Sequence, residues 1–236
     1  MEDIMKKVLI ISPHPDDAEL AMGGVIAKMT DAGWEVTIVD LTDGEPTPFG
    51  SKKTRKQETS RANEILGIKK RICLGMTNRY LQATLENRKR VAEVIRLNRP
   101  GMLFGPILPD YHPDHVAAVS IIKGARFEAK FHKTDMAGEP YWVPKQYGYY
   151  STHRAGYQKP AFLVDVSDCW DRKINAIRAY QSQIKNISSA SKVSLIEKVD
   201  VVCRYFGQCA GVEYAEPFMS YEPVSIKKLA LLADFS

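Results

Sequence analysis

The stretch ISPHPDDAELAMGG, residues 11–24, decides how this chain is read. It begins inside a β-branched and leucine-rich run, residues 7–12, of the kind that forms a strand buried on both faces. Behind it, apolar residues recur at helical spacing over 18–32 and stop at Gly33, a common helix terminator. Between strand and helix stands a histidine fenced by two prolines, followed by two adjacent aspartates. Pro13 and Pro15 disfavour helical geometry in the residues before them and stiffen the turn. Asp16 and Asp17 fall at the helix N-terminus, where capping and the helix dipole favour carboxylates. Capping accounts for one of the two aspartates; it leaves His14 unexplained. A dinucleotide-binding turn would carry G-x-G-x-x-G here, yet Gly23 and Gly24 come late, inside the helix.

Outward from that unit, strand-like and helical runs alternate. Residues 35–42 read as a strand, 54–66 as a helix closed by Gly67, 71–75 as a third strand, 85–98 as a helix, 102–106 as a fourth strand and 115–131 as a helix. Parallel strands joined by helical crossovers are the economical topology, a Rossmann-like α/β sheet with helices on both faces. Beyond about residue 132 the regularity weakens. Strands are expected at 146–152 and 161–166, helices at 170–184 and 195–207, and loops at 138–145 and 186–192. We therefore expect one domain over 1–236, a Rossmann-like core at 1–132 and a smaller β/α extension at 133–236.

The 236 residues are 44 % hydrophobic, enough for a sizeable core, and the net charge of +5 is mild. Basic groups such as Lys52, Lys53 and Lys56, or Lys69, Lys70 and Arg71, read as solvated faces that also draw in acidic substrates. The composition points to neither a nucleic-acid nor a membrane partner. The four cysteines lack C-x-x-C spacing, and Cys73, inside an apolar run, reads as a buried thiol. No apolar run approaches the roughly 18 residues of a membrane span, so the expectation is a soluble cytoplasmic protein.

Three of the five histidines fall in two Pro/Asp-rich segments, HPDD at 14–17 and HPDH at 112–115. Both follow strands. In a sheet of order 3-2-1-4, strands one and four are neighbours at the switch point, so the two loops face one crevice. Two imidazoles and one carboxylate form a catalytic zinc site with a fourth position open to water, whose pKa then falls towards roughly 7. His14, Asp17 and His115 supply such a set, and Asp16, adjacent but pointing elsewhere, suits a general base. His112, held by Asp114 through its ring N–H and charged, would face the developing oxyanion. Spacing alone leaves open which of His112 and His115 binds metal. His132 and His153 carry no such pattern, and the latter could reach a sugar or lie on the surface.

PHPDDAE after the first strand, R-x-x-E at 55–58 and HPDH after the fourth resemble the PIG-L or LmbE-like zinc N-deacetylases. The likeness extends through TDGEPTPFG, LGMTNRYL, VDVSDCWDRKINAIRAYQSQ and VEYAEPF. The resemblance implies that His14, Asp17 and His115 hold one Zn2+ per chain, with Fe2+ or Co2+ able to occupy the same ligands. It further implies Asp16 as general base, His112 paired with Asp114, and Arg55 as the substrate-positioning arginine; Glu58 is expected to orient Arg55, whose planar fork suits a carboxylate partner. Its substrates are small acetylated amino sugars, its members form trimers or hexamers, and the chain looks closest to the bacillithiol-pathway branch acting on N-acetylglucosaminyl malate. Chitobiose-like or thiol-conjugate amides are the alternatives within the family. Outside it stands a non-catalytic Rossmann-like module binding a sugar or nucleotide.

Overall fold

The computed structural model of the chain describes residues 6–154, 156–190 and 193–224. Its elements in chain order are β1 (Lys7–Ser12), α1 (Asp17–Asp31), β2 (Glu35–Thr42), α2 (Lys52–Leu66), β3 (Lys70–Met76), α3 (Leu85–Asn98), β4 (Met102–Pro106), α4 (Pro113–Glu128), β5 (Lys145–Tyr149) and β6 (Phe162–Asp165). A 3-10 turn (Ser167–Cys169), α5 (Trp170–Arg178), α6 (Gln181–Ala190), α7 (Leu195–Ala210) and β7 (Ala215–Ser220) complete the order.

One seven-stranded sheet runs β3-β2-β1-β4-β5-β7-β6. The first five strands pair in parallel; β7 is antiparallel to both β5 and β6. The expected 3-2-1-4 order is therefore present, extended by strands from the second half of the chain. Alternation along β1 divides the core. Val8 and Ile10 face α1, α2, α5 and α7, whereas Leu9 and Ile11 face α3 and α4. Helices thus cover both faces, and among the described residues no helix is long and apolar enough to cross a membrane.

Three expectations change in the second half. The helix read over 170–184 is broken, because Tyr180 is fully buried with its hydroxyl on Glu19 Oε1 at 2.9 Å. The chain then restarts as α6, whose first turn is capped from α2: Glu58 accepts from Ser182 N and Ser182 Oγ, both at 2.8 Å. The loop read over 186–192 is helical to Ala190, and residues 191–192 lie outside the described residues. VEYAEPF supplies β7, a strand hidden in the sequence by Pro217, since proline counts against a strand interior.

Two readings of single residues also change. Cys73 is exposed, because β3 is the edge strand and one of its faces is open. Arg71 belongs to no solvated cluster. Its side chain is buried, with Nε and Nη2 on the two Asp40 oxygens at 2.7 and 2.9 Å and Nη1 on Glu19 Oε1 at 2.5 Å.

The helix that carries the first motif is itself broken at Met22 (φ −142°, ψ 26°). Its second segment starts with free backbone N–H groups, which a helix start must satisfy from outside. Glu216 on β7 does this, accepting from Gly24 N at 2.9 Å and Val25 N at 2.8 Å while pairing with the fully buried Lys173 at 2.5 Å. Gly24 also lets the helix approach closely: a Cβ there would lie 2.6 Å from Val166 Cβ. Removing one partner of a buried pair strands the other charge and typically costs about 3–5 kcal/mol. Glu216→Ala should therefore lower the unfolding free energy by that amount in a urea titration; a loss below about 1 kcal/mol would show that Lys173 finds another partner.

Candidate active site

The loops leaving the carboxyl ends of β1 and β4 meet at the switch point and bring His14, Asp16, Asp17, His112, Asp114 and His115 together. In the first loop the two adjacent aspartates point apart for a backbone reason. Asp16 holds φ 114°, a left-handed conformation uncommon for a non-glycine residue, and makes no side-chain cap to α1. Asp17 turns towards the histidines. Its Oδ2 lies 3.1 Å from His14 Nδ1 and accepts from His14 N at 3.0 Å; its Oδ1 lies 3.3 Å from His115 Nε2. Asp16 Oδ2 instead accepts from Arg55 Nη1 at 3.1 Å.

Each imidazole beside Asp17 has a second carboxylate on its far nitrogen. His14 Nε2 is 3.0 Å from Asp114 Oδ2, and His115 Nδ1 is 2.9 Å from Asp110 Oδ2. This is the outer-shell arrangement that orients metal-binding histidines. Asp114 is held in turn by Arg79 N at 2.8 Å and Leu81 N at 3.1 Å; Asp110 accepts from the Ser151 hydroxyl and from His112 N.

The donor set fits a divalent cation. One atom from each of His14, Asp17 and His115 lies within 4.8 Å of the others, all three are in the protein interior, and the buried His115 Nε2 makes no hydrogen bond. An orphaned imidazole nitrogen facing a carboxylate is the configuration a cation completes. A second grouping, His14 with His112 and Asp114, meets the same distance criterion. It is the poorer set, because the Asp114 carboxylate already serves three donors. Of the two histidines in the H-x-x-H spacing, His115 therefore belongs to the better-disposed donor grouping.

Burial works against a charged imidazole, but Asp114 and Asp17 outweigh it and raise His14 to about 9; Asp17 and Asp110 likewise raise His115 to about 10. Burial opposes ionisation of Asp17 as well, yet the two imidazoles hold its carboxyl well below the usual range. Burial pushes Asp16 up to about 7 despite the Arg55 guanidinium beside it. That value suits a group that must take and return a proton near neutrality.

Two expected pairings are corrected. Asp114 holds His14, and His112 is not held through a ring N–H by its carboxylate: His112 caps α4, with Nδ1 accepting from Asp114 N at 3.2 Å. Nδ1 must be unprotonated for this, and burial together with the charges on His14 and His115 lowers His112 to about 4. His112 therefore offers a neutral Nε2–H, where a charged ring was expected. Glu58 does not orient Arg55, being engaged at the start of α6. Arg55 is 4 % exposed, lies over the Tyr180 ring at 5.8 Å and faces Glu45 at 3.8 Å as well as Asp16.

These groups open into a cleft of about 250 Å³, whose outer wall includes Pro46, Thr47, Asn78, Arg79, Thr152, His153 and Gln183. Sequence patterning leaves most of that wall unassigned. His153 is brought in by the loop after β5, its ring 5.4 Å from His112 and 5.5 Å from His115. Asp110 escapes the sequence reading although it opens DYHPDH, residues 110–115; an acid beside a metal-type histidine pair is the signal that would have found it. His132 lies in the loop beyond α4, outside the residues that line the cleft.

Comparison with known proteins agrees with this geometry. The family model described as PIG-L: GlcNAc-PI de-N-acetylase matches residues 9–125. The diacetylchitobiose deacetylase of Thermococcus kodakarensis is 36 % identical over 228 residues, covering 90 % of this chain and 82 % of the relative. A probable N-acetyl-alpha-D-glucosaminyl L-malate deacetylase 2 of Bacillus anthracis is 27 % identical over 207 residues, covering 82 % and 86 %. The crystal structure of a conserved protein from Thermus thermophilus superposes with a TM-score of 0.85 at 35 % identity, covering 93 % of this chain and 96 % of that one. With both motifs at the facing ends of β1 and β4, and relatives spanning nearly the full length, the chain belongs to the PIG-L family of N-deacetylases.

Proposed function

We propose that the protein removes the acetyl group from the 2-acetamido group of an N-acetylglucosamine-type glycoside, with His14, Asp17 and His115 holding one divalent ion, zinc by preference of the donor set. The observation that carries this reading is the division of labour between two adjacent aspartates: Asp17 sits between two imidazoles, while Asp16 is turned away by its backbone and kept free of them. When bound, a divalent ion held by these three residues would supply Lewis acidity for the amide carbonyl and for the attacking water.

The chain's own groups supply the rest. Asp16 Oδ accepts the proton of the attacking water and later returns it to the leaving nitrogen, so that acetate and a free amine result. His112 Nε2–H donates to the carbonyl oxygen as negative charge gathers there, a role that a fixed neutral donor in a partly dry site performs well. Asp114 and Asp110 keep His14 and His115 in one ring orientation. Arg55 holds Asp16 towards the cleft and, being buried at its wall, keeps a guanidinium edge available to a sugar hydroxyl.

The relatives above are named for diacetylchitobiose and for N-acetylglucosaminyl malate, and both belong in the test alongside N-acetylglucosamine. Amine release should be detected with at least one of the three, vanish after chelation and return with Zn2+, Fe2+ or Co2+ in separate arms. Turnover that survives complete metal removal, or no release from any acetylated glucosaminide, would overturn the proposal.

A further inference from the structure

The catalytic cleft does not end at the ligand set. A second, smaller hollow of about 40 Å³ adjoins it through the shared Leu20 and Thr152 and is lined by residues of α1, α7 and β7. Its lining includes Leu20, Ala21, Tyr150, Tyr157, Val199 and Val202, with Ser151, Lys198 and Pro217 beside them and Thr152 shared with the cleft. Among the described residues no acid lines it.

Its position relative to the reacting centre follows from helix geometry. Asp17, Leu20 and Ala21 are spaced i, i+3 and i+4, so they lie on one face of α1, the two apolar residues one turn beyond the carboxylate. On the opposite side, Ser151 donates its hydroxyl to Asp110, the residue that orients His115. The apolar hollow thus begins beside both arms of the ligand set. An N-acylated amino sugar is polar on almost every side. The one apolar group it must place next to the reacting carbon is the alkyl end of its acyl chain.

We infer that this hollow is an acyl subsite, and that the enzyme hydrolyses N-acyl groups a few carbons longer than acetyl, such as propionyl and butyryl amides of glucosamine. The inference rests on the N-deacetylase reading above and adds its acyl-chain range. The chemistry is unchanged: water adds to the acyl carbon, the C–N bond breaks, and a short-chain carboxylate and the amine leave. Each buried methylene is worth about 0.8 kcal/mol, or roughly fourfold in kcat/KM, which offsets the steric cost of a longer chain.

The test compares N-acetyl-, N-propionyl-, N-butyryl- and N-octanoylglucosamine in the metal-loaded full chain, reading amine release. Propionyl and butyryl substrates should keep kcat/KM within about tenfold of acetyl, and the octanoyl substrate should fall away because the hollow is short. Filling the hollow from the rim with Val202→Phe, or at its entrance with Ala21→Val, should lower the butyryl-to-acetyl ratio at least tenfold. Circular dichroism shows which variants fold, and either folded variant suffices. Acetyl turnover without propionyl or butyryl turnover, or a ratio unmoved in a folded variant, would overturn the acyl subsite and leave the deacetylase reading standing. Silence on all four substrates, together with the other glucosaminides, would overturn both.

Discussion

Asp16→Asn is expected to lower kcat by roughly 10²- to 10⁴-fold, the usual worth of a positioned general base, with the protein folded and its metal retained. The fold should survive because asparagine, like aspartate, tolerates the left-handed backbone found at this position. Metal should remain because the Asp16 carboxylate is hydrogen-bonded to Arg55, while Asp17 is the carboxylate beside His14 and His115. The amide keeps a hydrogen-bonding group against Arg55 but cannot carry a proton between water and the leaving nitrogen. Single-turnover amine release and metal content by atomic absorption, measured on one preparation, check the prediction together. Loss of metal in this variant would mean that Asp16 and Asp17 have exchanged roles.

His115→Ala should reduce both metal occupancy and turnover. Removing a ligand should weaken affinity by more than the roughly 10- to 100-fold that loss of an outer-shell partner costs. It also leaves Asp17 with one imidazole in place of two and deprives Asp110 of its ring partner. The matched control is His112→Ala, which should keep the metal and lose kcat, because His112 caps α4 and offers only its outward N–H to the cleft. Full metal retention in His115→Ala with loss in His112→Ala would reverse the assignment.

The motifs were legible because each lies within a few residues of a strand end. Strand order follows from alternating β and α runs, and a shared switch point then follows from strand order. This is why sequence spacing alone places His14, Asp16, Asp17, His112, Asp114 and His115 at one crevice. Their hydrogen-bond partners were not legible to the same degree. Asp114 sits two residues from His112 in sequence, yet its carboxylate is spent on His14 across the crevice and on two backbone N–H groups. Glu58 follows Arg55 by three residues on α2, where such pairs often meet; instead it caps a helix that begins more than a hundred residues later.

The second half of the chain shows the same limit. Glu216 and Lys173 have no local pattern that marks them as a buried pair, and the break at Met22 that they support has no proline to announce it. Arg71 reads as one basic residue among three until Asp40 and Glu19 close around it.

Sequence by itself therefore determined the parallel core, the two facing motif loops and the chemical types available at the site, because these depend on periodicity and on residues close together in the chain. Tertiary structure alone decided how the histidines sit about Asp17, which carboxylate steadies which imidazole, and which apolar hollow adjoins the cleft. Those choices are made by contacts between distant segments, where burial removes competing water and leaves each polar atom to whatever partner packing brings within reach.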